Sequence, residues 1–456
     1  MEKIADRPYW SARFDKRGDL EGDIAGLVDA ITAEKVEHLF VFAHGWNNNE
    51  DGAAALTREM FTQMAQAAAS VNLTRAGFLG VFWPSIWFPE PPADAAPAVA
   101  LATQEGAPGQ ADAAVSGAAI AASLAPSFDP AQQQVVSELG SLIDDGLAAV
   151  AAGGVPDAVQ RANVERFHAL LQTILSDALL QTILSDPAAA TPWDSCEVAL
   201  LEARDPVQAY QALAEEMGSA PAGNPDFGMG DIFGPIWNGA KSALRVASYF
   251  EMKSRAGTVA RNGLGPLLAA LHEKAPRLRA HLAGHSFGAR LVAFSLSGIA
   301  SAAASPVASL TLIQGAFSHW AFADDSMPYG QAGPLVDFRD RVHGPVLSTF
   351  SEHDWAVGIW YPKASFLVGD LTTAMPDAAP KWGGMGSDGA QWVPGPGEPT
   401  PLAASGTGYG LQPAQFYRFD SNDVIDDTSQ SAFSGAHSDI QHPEVTWLPV
   451  CAAAGL

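Results

Sequence analysis

"RLRAHLAGHSFGARLVAF", residues 277–294, runs an apolar segment into Gly-His-Ser-Phe-Gly and straight on into a helix-forming pattern. A solvated turn needs no such arrangement. A very sharp strand-to-helix bend does, because side chains at Gly284 and Gly288 would collide inside it. Ser286 would then stand at the top of a sheet, over a helix N-terminus that favours negative charge. A serine hydroxyl is a poor nucleophile until a base takes its proton and a third group orients the base. The rest of the chain must supply both.

At 456 residues, with 48% hydrophobic and 16% charged residues, the chain can bury a large core without disulfide or metal. Its 50 acidic and 25 basic residues give a net charge of −25, which argues against nucleic acid and anionic membrane surfaces as partners. Cys196 and Cys451 lie in unrelated contexts, so neither a zinc site nor a disulfide framework is expected. "MEKIADRPYWSARFDKRGDL" lacks the apolar core of a signal peptide, and no stretch approaches 18 uninterrupted apolar residues. The expectation is a soluble, cytoplasmic protein with no transmembrane segment.

Working outward from the opening stretch, "HLFVFAHGW" is apolar from Leu39 to Ala43, as a strand buried on both faces would be. A helix follows, with Leu56, Met60 and Met64 spaced four apart, then a second buried strand in "AGFLGVFWPS". From Ala76 to Gln160 there is no Lys or Arg, and residues 91–160 are rich in Ala, Pro, Gly, Ser and Gln. "LLQTILSDA" (170–178) is followed at once by "LLQTILSDP" (179–187). A nine-residue shift turns a helix by about 180°, so the pair predicts either one helix apolar all round or two short ones. Core-like texture returns near Asp231, with helices in "WNGAKSALRVASYFEMKSRAG" and "GLGPLLAALHEKAP" and another over 287–300. Later strands are expected in 309–317, 345–351 and 414–420, and a Gly/Pro-rich ordered loop over 371–411. Alternation of strands and helices implies an α/β fold with a mostly parallel sheet. The division is core 1–83, a helical insertion 84–239, and core 240–456.

With "FVFAHGWNN", "VFWPS", "GHSFGARL" and "GAHSDI" in view, the chain resembles serine hydrolases of the α/β-hydrolase superfamily, within a bacterial lipase/esterase-like group. The likeness covers residues 38–83 and 240–445. It implies the α/β-hydrolase fold, a central sheet with helices on both faces, and a cap or lid formed by the insertion. It also implies the chain order serine, acid, histidine. "TFSEHDWAVG" then offers Asp354 as the acid, with Glu352 and Asp324 as alternatives. Of the histidines beyond Asp354, His437 in "SGAHSDIQHP" is the expected base. His442 precedes Pro443, which confines it to extended backbone, and reads as structural. The oxyanion hole would use the backbone N–H of Phe287 and one at Gly45 or Trp46, the resemblance favouring Trp46. His44 would brace that loop. No cofactor or metal is needed.

Aromatic residues crowd the expected strand ends: Trp46, Trp83, Trp87, Trp320, Trp355 and Trp360. Together with His44 they are read as candidate walls of an apolar cleft. The implied partner is a small-molecule ester with an apolar acyl or aromatic group. "FDSNDVIDD" (419–427) lacks the spacing and glycine of a Ca²⁺ loop and reads as a solvated acidic turn. Two other readings stay open: an amidase, peptidase or acyltransferase using the same three residues, and a non-catalytic binding protein on the same fold.

Overall fold

The computed structural model describes residues 2–46, 50–85, 116–125, 128–153, 155–185, 205–216, 233–357, 383–430 and 435–456. Among them, nine strands form one sheet: β1 (Glu2–Ile4), β2 (Arg7–Arg13), β3 (His38–Ala43), β4 (Ala76–Phe82), β5 (Arg279–His285), β6 (Val307–Ile313), β7 (Val346–Phe350), β8 (Thr400–Pro401) and β9 (Phe416–Asp420). Their spatial order is β1-β2-β4-β3-β5-β6-β7-β9-β8. Every neighbouring pair is parallel except β1 with β2.

The continuous apolar runs are explained by burial on both faces. In β3, Leu39, Val41 and Ala43 join one core cluster while Phe40 and Phe42 join the other. That is the two-residue alternation of a pleated strand whose faces are both dry. Helices α1 (Ile24–Ala33) and α2 (Glu50–Ser70) cover opposite faces: Val28 and Ile31 sit in the first cluster, Met60 and Met64 in the second, with Leu56 half-buried beside them. Each such fully buried side chain contributes roughly 1.5–3 kcal/mol.

The insertion is helical where described: α3 (Gly117–Leu124), α4 (Pro130–Ala152), α5 (Asp157–Ser185) and α6 (Pro206–Glu216). Helix α5 runs through the first copy of the repeat and into the second with no break at Ser176-Asp177. Next come α7 (Phe233–Val259), α8 (Gly265–Lys274), α9 (Phe287–Phe294), the four-residue α10 (Met385–Asp388) and α11 (Pro443–Ala454). The boundary expected at 239/240 falls inside α7. A side chain at Gly239 would overlap the Tyr210 carbonyl, so this glycine permits a close helix crossing and marks no chain break. Ile120, Leu139, Phe167, Tyr210 and Trp237 belong to the same apolar cluster as strands β3–β6. The helix expected over 287–300 tightens after Phe294 into a 3₁₀ turn, Ser295–Gly298. Of the loop expected over 371–411, the part from 383 onward is built of α10, β8 and irregular segments; 371–382 lie outside the described residues. No helix among the described residues is long and apolar enough to cross a membrane.

This strand order creates a switch point. From β3 the chain moves outward to β4, and from β5 it proceeds through β6 and β7 in the opposite direction. Ligand crevices in open α/β sheets form beyond the carboxyl ends of the strands where the order reverses. Here those are the ends of β3, at His44-Gly45-Trp46, and of β5, at His285-Ser286.

Candidate active site

Ser286 follows β5 with φ 57° and ψ −122°, a conformation that costs a non-glycine residue of order 1–3 kcal/mol. Backbone bonds fix it there: its N–H donates to Ile313 O at 3.0 Å, and its carbonyl accepts from Ala316 N at 3.2 Å. The flanking glycines are required. A Cβ on Gly284 would overlap the Gly288 carbonyl, and one on Gly288 would overlap the carbonyls of Ala43 and His44. The bend and the end of β3 are thus packed backbone to backbone.

The three residues expected to act together meet. His437 Nε2 lies 2.8 Å from Ser286 Oγ, and His437 Nδ1 lies 2.8 Å from Asp354 Oδ2. Because a carboxylate only accepts, the Nδ1–H donates to Asp354 and Nε2 is left to accept the serine hydroxyl. Exposure is 5% for Ser286, 9% for His437 and 1% for Asp354, so this chain of hydrogen bonds lies in a low-dielectric setting. The loop bearing His437 is pinned beside the acid: Ala436 N–H donates to His353 O at 2.8 Å, and Gly435, at φ +59°, packs its backbone on His353 and the Trp355 ring.

The alternatives lie elsewhere. Glu352 is exposed, and its N–H donates to Asn422 Oδ1 at 2.8 Å. Asp324 sits on the surface against Ser326 and Arg339, its carboxyl held below the usual range chiefly by the Ser326 hydroxyl. His442 pairs with Asp439 at 2.7 Å and has the extended backbone that Pro443 imposes. The acidic segment 419–427 is folded on itself, with the N–H groups of Asp426 and Asp427 donating to Asp439.

Gln314 escapes the motifs but completes the site. It ends β6 in the left-handed region, φ 45°, and its buried amide donates to Asp354 Oδ2 at 2.9 Å and to Gly386 O at 3.2 Å. Its carbonyl oxygen accepts from Thr349 Oγ1 at 2.9 Å. Asp354 Oδ1 meanwhile accepts from Val357 N at 3.0 Å. The carboxylate bonded to His437 is therefore itself oriented by two further donors, one on each oxygen. The signal in the sequence is slight: one amide closing the apolar run "SLTLI".

Gly45 ends the neighbouring loop so closely that a Cβ there would lie 2.9 Å from both Ser286 Cβ and His285 Nδ1. The next residue, the half-buried Trp46, meets the Phe287 ring edge-on at 6.3 Å. His44 braces this loop as expected: its Nδ1–H donates to Gly45 O at 3.0 Å. Burial pushes the His44 imidazole down to about 4 and that of His285 to about 3, the charge on His437 adding to the latter. Neutral His285 donates from Nε2 to His437 O at 2.8 Å, tying the residue before the serine to the loop of the base.

The aromatic wall needs correction. Trp83 is buried and spends its indole N–H on His44 O at 3.0 Å, and His44 itself is enclosed and stacked on Trp83. Trp320, 1% exposed, packs with Ala323 and Met327. These three side chains are interior supports, not surfaces of an open cleft. Trp46 and Trp355 are half-buried beside the serine and the base loop, while Trp87 and Trp360 lie outside the described residues. No family model, curated protein or solved structure matches this chain.

Proposed function

We propose that this chain is a serine hydrolase of the α/β-hydrolase type, cleaving carboxylic esters with apolar acyl or aromatic groups. The observation that carries the reading is the unbroken series Ser286 Oγ, His437 Nε2, His437 Nδ1, Asp354 Oδ2, with both heavy-atom separations at 2.8 Å. Further support comes from the strained serine between strand and helix, its position at the switch point of the sheet, and the order serine, acid, histidine along the chain. The half-buried rings of Trp46 and Trp355 favour apolar substrate groups.

In this mechanism the Ser286 oxygen attacks the ester carbonyl as His437 Nε2 takes its proton. Asp354 holds the imidazole in the competent tautomer and stabilises the imidazolium. The oxyanion is received by backbone N–H groups of Phe287, at the first turn of α9, and Trp46. Collapse of the tetrahedral intermediate expels the alcohol, which takes the proton from His437. Water, deprotonated by the same nitrogen, then releases the acid and restores Ser286. The helices of the insertion, which leave the sheet just after β4 ends, serve as the cap.

A fluorophosphonate probe tests the assignment. Wild type should be labelled at Ser286 and Ser286→Ala should not; an unlabelled wild type, or equal labelling of both, refutes it. Turnover of short p-nitrophenyl esters well above that of the matching anilides is expected; the reverse would make the chain an amidase.

A further inference from the structure

The amino ends of the strands, opposite the end that carries Ser286, also hold a recess. A cavity of about 390 Å³ opens at the amino ends of β5, β6 and β7, lined among others by Arg277, Arg279, His272 and His343. Strand β5 spans seven residues between this cavity and Ser286, a distance of about 20 Å at 3.3 Å per residue. The two sites are therefore separate.

The lining is one-sided in charge. Among the described residues no Asp or Glu side chain lines the cavity, in a chain whose carboxylates outnumber its Lys and Arg two to one, 50 to 25. Two carboxylates near these strands are already engaged, Glu37 by Arg75 and Asp29 by Lys274, and Glu273, next to His272 in the chain, is exposed. Among the described residues, neither Arg277 nor Arg279 has a carboxylate partner. Backbone acceptors around the cavity are also in use. The carbonyls of Pro306, Gly344 and Pro345 take the N–H groups of Ala280, Ala414 and Leu310, and Ser305 O takes the Nε2–H of His343. Next to the lining Gly455, Leu456 O is held by Leu411 N–H. His272 keeps a buried Nδ1 with no partner among the described residues. Arg277 and Arg279, both exposed at the cavity, offer two rigid guanidinium forks suited to a tetrahedral oxyanion.

We infer that this cavity binds a small phosphorylated molecule. Its phosphate lies between Arg277 and Arg279, and its apolar body rests on Leu411 and Pro413. The volume lies within the ordinary range for small-molecule sites. The inference does not depend on the hydrolase reading, because its readout is binding.

Calorimetric titration with phenyl phosphate and with inorganic phosphate, at fixed ionic strength, tests it. Wild type and Ser286→Ala should bind phenyl phosphate saturably at one site per chain, more tightly than inorganic phosphate. The double variant Arg277→Gln/Arg279→Gln should bind at least about tenfold more weakly with an unchanged melting temperature in buffer. Three outcomes overturn the proposal: no saturable binding by wild type, equal binding by the double variant, or a response that chloride reproduces at equal ionic strength. Should the double variant fold poorly, Arg279→Lys serves, since it keeps the charge and loses the fork; undiminished affinity there also counts against the site.

Discussion

Acid should destabilise this protein through two histidines held neutral beside Ser286. An unfolded histidine titrates near 6.5, whereas burial lowers His44 to about 4 and His285 to about 3. Above pH 6.5 the rings are uncharged in both states and cost nothing. As pH falls below 6.5 the unfolded chain takes up protons that the folded chain refuses, so stability declines by about 1.4 kcal/mol per pH unit per ring. The decline ends only when pH drops past the folded values near 4 and 3. Between pH 7 and 5 each ring should remove about 2 kcal/mol, about 4 kcal/mol together, against a typical total of 5–15 kcal/mol. Urea unfolding at half-unit pH steps measures this directly. Substituting His285→Gln should halve the loss over that window. A wild type losing less than about 1 kcal/mol from pH 7 to 5, or a slope indifferent to the substitution, would refute the reasoning.

Asp354→Asn should lower ester turnover about 10⁴-fold by offering His437 the wrong tautomer, while Glu352→Gln leaves turnover intact; steady-state rates on one ester decide between the two carboxylates. Gly45→Ala forces a methyl group within 2.9 Å of Ser286 Cβ, and the displaced loop should reduce kcat/KM about 100-fold with the melting temperature little changed. Gln314→Asn keeps a residue tolerant of the left-handed backbone but falls short of Asp354, so kcat should drop about tenfold with KM held. Trp320→Ala should cost about 3–5 kcal/mol in unfolding free energy and leave KM unchanged, as expected of an interior support.

The sequence made legible what is local or periodic. Doubly buried strands such as Leu39–Ala43 announce themselves as apolar runs, and the bend at Ser286 needs glycines at fixed offsets. The rival residues could be ranked because Pro443 constrains His442 and because Glu352 and Asp354 differ in distance from their strand. Contacts made by tertiary approach were not legible. Strands β1 and β2 form the sheet's antiparallel edge in a polar stretch interrupted by Pro8, so no buried run betrays them. Gln314 acquires its role only when β6, β7 and the segment near Gly386 converge. Tryptophans at strand ends read alike whether they face a cleft or, like Trp83, turn inward to bind a carbonyl. Gly239, inside an expected helix, gives no sign in the sequence that the Tyr210 backbone packs against it.

One consequence follows from where the imidazole sits along the chain. It comes 151 residues after the hydroxyl it bonds, on a loop held to His353 beyond the end of β7. During synthesis the bend at Ser286 therefore leaves the ribosome long before the imidazole that bonds to it. A fragment ending ahead of residue 435 would keep the strained bend and lack the imidazole, so on the proposed reading it should hydrolyse no ester.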